Sequence, residues 1–254
     1  KWEDQGTRLK ERAEAKSSAK VWERAPIAYW DHFLDDREPH LFSIPLAGGE
    51  TTAITRGSGY WLSKQEYSTS SYDISPDGTE VAFVADRDRS GIDPNDDIIV
   101  IPACGCKPAR NLNADSIADE SNPVYSPDGR SLASSQKRTP RFYADTQRLM
   151  LLDRTGGTTR GLTGQWDRSA DGLVWASDSK SIYGQIDDAA TSRIYRFALT
   201  GGAPRAVTGA SSFSGLEVAG KVAIALRQSF SEPAALVRLD LAKGAITKLS
   251  DFND

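Results

Sequence analysis

The chain is poor in the residues that carry most enzyme chemistry and most covalent crosslinking. It holds 2 Cys and 2 His among 254 residues. Two cysteines exclude a disulfide-dense scaffold, and two histidines limit any proton-relay chemistry. Basic residues are not in excess: Lys+Arg 31 against Asp+Glu 35 gives a formal net charge of -4. That balance argues against a nucleic-acid partner, because phosphate contacts need clustered Lys and Arg. No apolar run approaches bilayer length, so no membrane span is expected. The first twenty residues lack the apolar core of a secretory signal. Lys1 is not an initiator Met, so upstream sequence is expected. What is present, 39% hydrophobic and 26% charged residues, is a globular composition sufficient for one large domain or two small ones.

A repeat dominates the chain. An apolar strand, a tight turn and a short strand ending in Thr, Asn or Ser recur as HLFSIPLAGGETTAIT, DIIVIPACGCKPARNLN, RLMLLDRTGGTTRGLT, RIYRFALTGGAPRAVT and ALVRLDLAKGAITKLS. The second turn residues are Gly49, Cys106, Gly157, Gly202 and Gly244, spaced by 57, 51, 45 and 42. From each to the closing Thr, Asn or Ser is six positions, or seven in the Cys106 copy. Paired glycines supply the positive φ of a tight hairpin at little steric cost. A second motif precedes each tail: DISPDGTEVAFVA, VYSPDGRSLASS and the degraded VWASDSKSIYGQI. In Ser-Pro-Asp-Gly, Pro76 and Pro127 preset φ, Asp77 and Asp128 tolerate the next position, and Gly78 and Gly129 take the left-handed one. The last copy, LEVAGKVAIALRQ, keeps only strand, turn and strand.

Four short antiparallel strands per repeat of this length describe one blade of a β-propeller. The predicted fold is therefore all-β, with about five blades at residues 20–55, 72–113, 122–163, 172–208 and 216–250. Five blades close alone or form part of a seven- or eight-bladed ring. A β-sandwich of short strands is the alternative, but sandwiches do not repeat at this period. Val81 and Phe83 alternate with Ala82 and Val84, so both sheet faces are apolar, as expected for a blade between two neighbours. Residues 1–19 are charged and rich in helix formers, which reads equally as a solvated helix or as a linker.

No Gly-x-Ser-x-Gly nucleophile elbow occurs, and Arg56-Gly57-Ser58-Gly59 is too short. His40 opens a predicted strand, and His32 lies beside Asp31 and near Asp35-Asp36. Both read as structural or surface residues, so no Ser-His-Asp triad is expected. Asp86-x-Asp88-x-Ser90-Gly91 with Asp97 loosely mimics a calcium loop, but Arg87 and Arg89 interleave and a terminal Glu is missing. The expectation there is a solvated acidic loop, with no metal and no cofactor. Cys104 and Cys106 are read as two free thiols, since bridging residues two apart on a hairpin looks strained. Arg138, Arg141, Tyr143, Asp145 and Arg148 make the most polar and aromatic inter-strand loop, and such loops at propeller ends carry function. Asp145 and Arg148 are equally able to pair with each other. Trp166 is expected to pack rather than to bind a ligand.

The paired SPDG and GG-x-x-x-x-LT blades resemble TolB-like propellers and the propellers of the prolyl oligopeptidase family of serine peptidases. Two longer stretches resemble bacterial dipeptidyl-peptidase and acylaminoacyl-peptidase members of that family. One carries Trp30, Asp31, His40, Leu41 and Phe42; the other runs from Asn122 to Gly157 and on through LTGQWDRSADGLVWASDSKSIY. The resemblance implies a partner α/β-hydrolase domain bearing Ser, Asp and His, in the same gene or a nicked second chain. The closing KLSDFND resembles the point of hand-over to it. It implies short peptides as substrates, gated by the propeller, with the loop of Arg141, Tyr143, Asp145 and Arg148 facing the gap between domains. It also implies export to the periplasm or beyond. The sequence departs from related ones at Tyr143, where Glu often stands, at Ala28, where Arg often stands, and at Gly105-Cys106. The other implied reading is a TolB-like, non-enzymatic interaction module.

Overall fold

A computed structural model describes residues 2–19, 21–22, 27–34, 37–64, 68–88 and 95–252. A solvated helix, α1 (Trp2–Glu14), opens the chain, with a Lys10–Glu14 ion pair at 4.0 Å along one face. Two small hairpins follow: β1 (Ala28–Tyr29) with β2 (His32–Phe33), and β3 (Phe42–Ser43) with β4 (Thr52–Ala53). Among the described residues, the unit expected at 20–55 is thus two two-stranded sheets rather than one four-stranded sheet.

Four complete blades come next, each a four-stranded antiparallel sheet in chain order. Blade I is β5 (Tyr72–Ile74), β6 (Glu80–Ala85), β7 (Asp97–Pro102) and β8 (Arg110–Asn111). Blade II is β9 (Glu120–Tyr125), β10 (Ser131–Gln136), β11 (Arg148–Asp153) and β12 (Thr159–Gly161). Blade III is β13 (Val174–Trp175), β14 (Ser181–Asp188), β15 (Thr191–Ala198) and β16 (Arg205–Ala206). Blade IV is β17 (Ser212–Ala219), β18 (Val222–Gln228), β19 (Ala235–Asp240) and β20 (Ile246–Lys248). The fold is a β-propeller of repeated four-stranded blades.

The two sequence motifs are now explained by hydrogen bonds. In the first Ser-Pro-Asp-Gly turn, Ser75 Oγ donates to Asp77 Oδ1 (2.6 Å) and accepts from Glu80 N (3.0 Å), while Asp77 Oδ1 accepts from Thr79 N (3.0 Å). Gly78 takes φ 69°. Blade II repeats the pattern with Ser126, Asp128 and Ser131. In blade III the degraded copy puts Ser179 at φ 57°; its hydroxyl accepts from Asp128 N of blade II (3.0 Å). The closing Thr also has a job. Thr55, Thr163, Thr208 and Ser250 each accept, through the hydroxyl oxygen, from the backbone N–H fourteen residues earlier: Leu41, Leu149, Ile194 and Leu236. Such a hydroxyl satisfies an amide at the start of the third strand, which would otherwise be left unpaired where the short fourth strand ends.

The core lies in layers between blades. Val81, Phe83 and Ala85 pack with Ile99 and Ile101 against Ile54 and Leu41. The opposite face of the same sheet, Ala82, Ile98 and Val100, packs against Tyr125 and Leu132 of blade II. The alternation expected within TEVAFVA is therefore real, and both faces are covered. Ala133, Leu149 and Leu151 meet Trp175, Ile182, Ile186 and Phe197 between blades II and III. Tyr183 and Ile194 meet Phe213, Ala223, Ala225, Val237 and Leu239 between III and IV. Each fully buried large side chain here contributes about 1.5–3 kcal/mol. Polar seams reinforce the layers: Asp73 Oδ2 accepts from Tyr125 N (2.7 Å), and Trp175 Nε1 donates to Val124 O (3.0 Å).

Candidate functional site

Blade geometry sorts the connections onto two ends. The first-to-second and third-to-fourth strand turns, Ser-Pro-Asp-Gly and Gly-Gly, share one end and are short. The second-to-third strand loops and the blade-to-blade connections share the other end; they include the long 137–147 loop between β10 and β11, while β14 and β15 are joined by Ala189-Ala190 alone, and long loops of this kind are where binding residues gather. There, a cavity of about 870 Å³ opens among the innermost strands β5, β9, β13 and β17. Among the described residues its lining includes Asp73, Asp167, Asp171 and Asp187 against one cation, Arg168.

The backbone near this mouth is shaped by positive φ at Asn122 (53°) within β9, Gly172 (55°) just ahead of β13 and Gly215 (61°) within β17. The β9–β10 and β17–β18 registers shift beside these positions, as bulges do where a strand must re-aim its side chains. Asn122 Nδ2 donates to Asp171 Oδ1 (2.7 Å), tying blade II to the lead-in of blade III, and the same oxygen accepts from Gly172 N (2.8 Å). Gly184 lies behind: a Cβ there would stand 2.8 Å from Asp171 O.

Arg168 is held rather than free. It contacts Asp167 (2.7 Å) and Asp188 (3.2 Å), and these carboxylates raise its pKa further. Asp188 also accepts from Tyr195 Oη (2.7 Å) and pairs with Arg193 (3.2 Å). The Tyr195 hydroxyl and the two guanidiniums hold its carboxyl below the usual range. Burial pushes Asp73 up, against the pull of its bonds from Tyr125 N and Ile74 N. The cavity is therefore acidic on balance. Trp166 packs as expected, 5.2 Å from the Tyr195 ring and 5.6 Å from Phe197.

Three of the candidate residues from the sequence, Arg141, Tyr143 and Asp145, sit on the loop between β10 and β11, and Arg148 opens β11; the loop gives Ala144 and Thr146 to the cavity lining but not these four themselves. Asp145 is a loop organiser. Its Oδ2 accepts from Arg138 N (2.7 Å) and Thr139 N (2.9 Å), and its Oδ1 from Arg148 Nη1 (3.2 Å). These donors hold its pKa well below the ordinary carboxylate value. Arg148 also donates to Thr146 O (2.5 Å). Tyr143 stands out at 92% exposure, with Lys137 Nζ 5.7 Å from its ring centroid. Arg141 holds φ 57° at the loop tip. The acidic residues that do line the cavity were missed by the sequence reading. Of these only Asp171 carried a local signal, the Asp171-Gly172 pair just ahead of β13.

Cys104 and Cys106 are not free thiols: they form a disulfide, and Gly105 at φ 61° folds the turn so that their Cα atoms lie 5.2 Å apart, within bridging range. The acidic segment is not uniformly solvated. Asp97 is only 3% exposed and Asp86 is also buried, its oxygens accepting from Asp88 N (2.7 Å) and Asn95 N (3.1 Å); Ser90 and Gly91 lie outside the described residues. His40 Nδ1 contacts Thr55 Oγ1 (3.1 Å), and burial lowers its pKa. The His32 side chain, Asp35 and Asp36 lie outside the described parts of the structure.

No protein-family profile matches the chain. It is 26% identical over 247 residues to dipeptidyl-peptidase 5 of Porphyromonas gingivalis, covering 94% of this chain and 36% of that protein. It is 30% identical over 219 residues to dipeptidyl-peptidase 5 of Aspergillus oryzae, covering 75% of this chain and 30% of that one. The chain thus spans about a third of the length of these relatives. Among solved structures, the acylaminoacyl peptidase of Pyrococcus horikoshii superposes with a TM-score of 0.67 at 17% identity, over 94% of this chain and 35% of that one. A putative TolB from Agrobacterium tumefaciens superposes with a TM-score of 0.55 at 19% identity, over 84% and 81%. Fold and mouth geometry define the class, a β-propeller with a ligand-sized cavity at its long-loop end. Its similarity in sequence to dipeptidyl-peptidase 5 proteins supports a propeller domain of the prolyl oligopeptidase family.

Proposed function

We propose that this propeller gates and helps bind short peptides for a separate α/β-hydrolase domain, which cleaves them by acyl transfer. The observation that carries the reading is the acidic surplus of the cavity: among the described residues, four lining carboxylates against one guanidinium that is already paired. Such a site suits the ammonium of a peptide N-terminus, and the concave mouth excludes folded chains by size. Tyr143 and Arg141 at the rim loop contact the peptide beyond its terminus, while Asp145 and Arg148 hold that loop in shape. An oxidising compartment, periplasmic or extracellular, fits the Cys104–Cys106 bridge.

The test is an NMR titration of this chain with a dipeptide amide and with its N-acetylated form. The free amine is expected to shift resonances around Asp171 and Gly172, and acetylation to weaken binding by at least about tenfold, a loss of about 1.4 kcal/mol. Asp187→Asn should weaken the free amine selectively. Equal binding of both forms would remove the basis of the reading. A second reading, a TolB-like module that docks a protein partner, is supported by the TolB fold neighbour, whose length the chain largely spans. Capture of a folded protein with no response to either dipeptide would favour it.

A further inference from the structure

The Cys104–Cys106 bridge occupies an odd place. It sits on the third-to-fourth strand turn of blade I, where the blade II and III turns carry Gly156-Gly157 and Gly201-Gly202. Both cysteines are exposed. The turn is already closed by backbone, with Gly105 N donating to Pro102 O at 2.8 Å and the β7–β8 ladder behind it. The bridge links residues only two apart. Crosslinks stabilise by restricting the unfolded chain in proportion to the logarithm of the loop they close. For this three-residue loop the relation gives about half the stabilisation of a fifteen-residue loop, so the bridge is at most a weak staple. Lys107, exposed and next in sequence, is the cation closest along the chain to Cys106. A neighbouring cation favours the thiolate.

We infer that Cys104–Cys106 is a thiol–disulfide exchange site for small thiols, reactive in the folded protein. In the forward direction a thiolate RS⁻ attacks Cys104 Sγ. An RS–Sγ bond forms, the Sγ–Sγ bond breaks, and Cys106 leaves as a thiolate. Lys107 favours that leaving group, because the sulfur with the lower pKa departs more readily. A second RS⁻ attacks the mixed disulfide at the external sulfur, releasing RSSR and the Cys104 thiolate. The two cysteines gain two electrons, the two external thiols lose them, and both cysteine thiolates take up protons from water. The chain contains no third cysteine, so exchange cannot scramble within it and the pair cycles cleanly between two states.

The experiment incubates the intact chain with glutathione in native buffer and in urea. Each sample is quenched by alkylation and read by peptide mass spectrometry. The expected result is reduction at comparable rates in both, within about threefold, with transient glutathione on Cys104 and alkylated Cys106. A native rate more than about tenfold below that in urea would show that unfolding is required, and would overturn the proposal. Lys107→Ala should slow the native rate, whereas no change would refute the assigned leaving group. The double variant Cys104→Ser/Cys106→Ser measures stapling directly: a Tm within about 3 °C of the parent is expected, and a larger fall would make the bridge structural.

Discussion

Glu120 offers the sharpest test of how the blades are joined. It opens β9 at the seam between blades I and II and is 1% exposed. Its Oε1 accepts from Gln136 Nε2 (2.6 Å), and its backbone N–H donates to Asp96 O of blade I (2.7 Å). Its Oε2 is buried without a hydrogen-bond donor among the described residues; the carboxyl of Asp97, whose Oδ2 accepts from Asn111 Nδ2 (2.5 Å), and the hydroxyl of Ser116 both act on Glu120. Two carboxyls in contact must share a proton. Burial, with the Asp97 charge adding to it, pushes Glu120 up to about 8. Asp96 beside it is pushed up to about 6 by burial and by Asp119 and Asp86, against the pull of Lys137. The native state therefore binds more protons than the unfolded chain between the ordinary glutamate pKa and about 8. By linkage, stability from this group is fully present below that lower value and is lost as pH rises through the window. At about 1.4 kcal/mol per pKa unit the ceiling is about 5 kcal/mol, and with the proton shared with Asp97 a loss of about 2–3 kcal/mol is expected. Glu120→Gln places an amide N–H toward Asp97 permanently. Urea melts of both proteins from pH 5 to pH 9 should show the parent losing stability relative to the variant as pH rises. Below that range, Asp77, Asp128 and Asp145, all held low by hydrogen bonds, destabilise both proteins alike. Parallel curves for parent and variant would refute the shared proton.

Other outcomes follow from the same geometry. Thr163→Val keeps shape but leaves the buried Leu149 N–H unpaired, and chemical denaturation should show a loss of about 1–3 kcal/mol. Gly184→Ala drives a methyl into Asp171 O, Ile186 and Phe197; it should lower stability by about 1–3 kcal/mol and shift the NMR signals of Asn122 and Gly172 at the cavity mouth. Asp145→Ala removes the acceptor for Arg138 N, Thr139 N and Arg148, and limited proteolysis should cut between Arg138 and Arg148 several-fold faster while the blades stay intact.

Much of the architecture was written in residue types whose conformational demands are local. Ser75, Asp77 and Gly78 close their turn with their own side chains and backbone, so Ser-Pro-Asp-Gly means the same turn wherever it occurs. The alternation of Val81 and Phe83 with Ala82 and Val84 follows from the two-residue period of a strand, and it announced a sheet covered on both faces. The cysteine pair misled because the bridge depends on the actual backbone at Gly105, which a spacing rule does not contain. The acidic segment misled because burial is set by a neighbouring blade: Asp97 looks solvated until β9 brings Glu120 against it.

The candidate site divides the same way. The loop carrying Arg141, Tyr143, Asp145 and Arg148 stood out by composition, yet whether a side chain faces the cavity depends on where blades II and III meet. Asp145 turned inward to hold its own loop, while Asp171 and Asp187 lie on the next blade, dozens of residues away. The sequence by itself determined the repeating unit, because turn chemistry and strand period act over a few residues. Only the tertiary structure decided which carboxylates share a cavity, a seam or a proton, because those pairings arise between blades, where burial and distance are set by packing rather than by order along the chain.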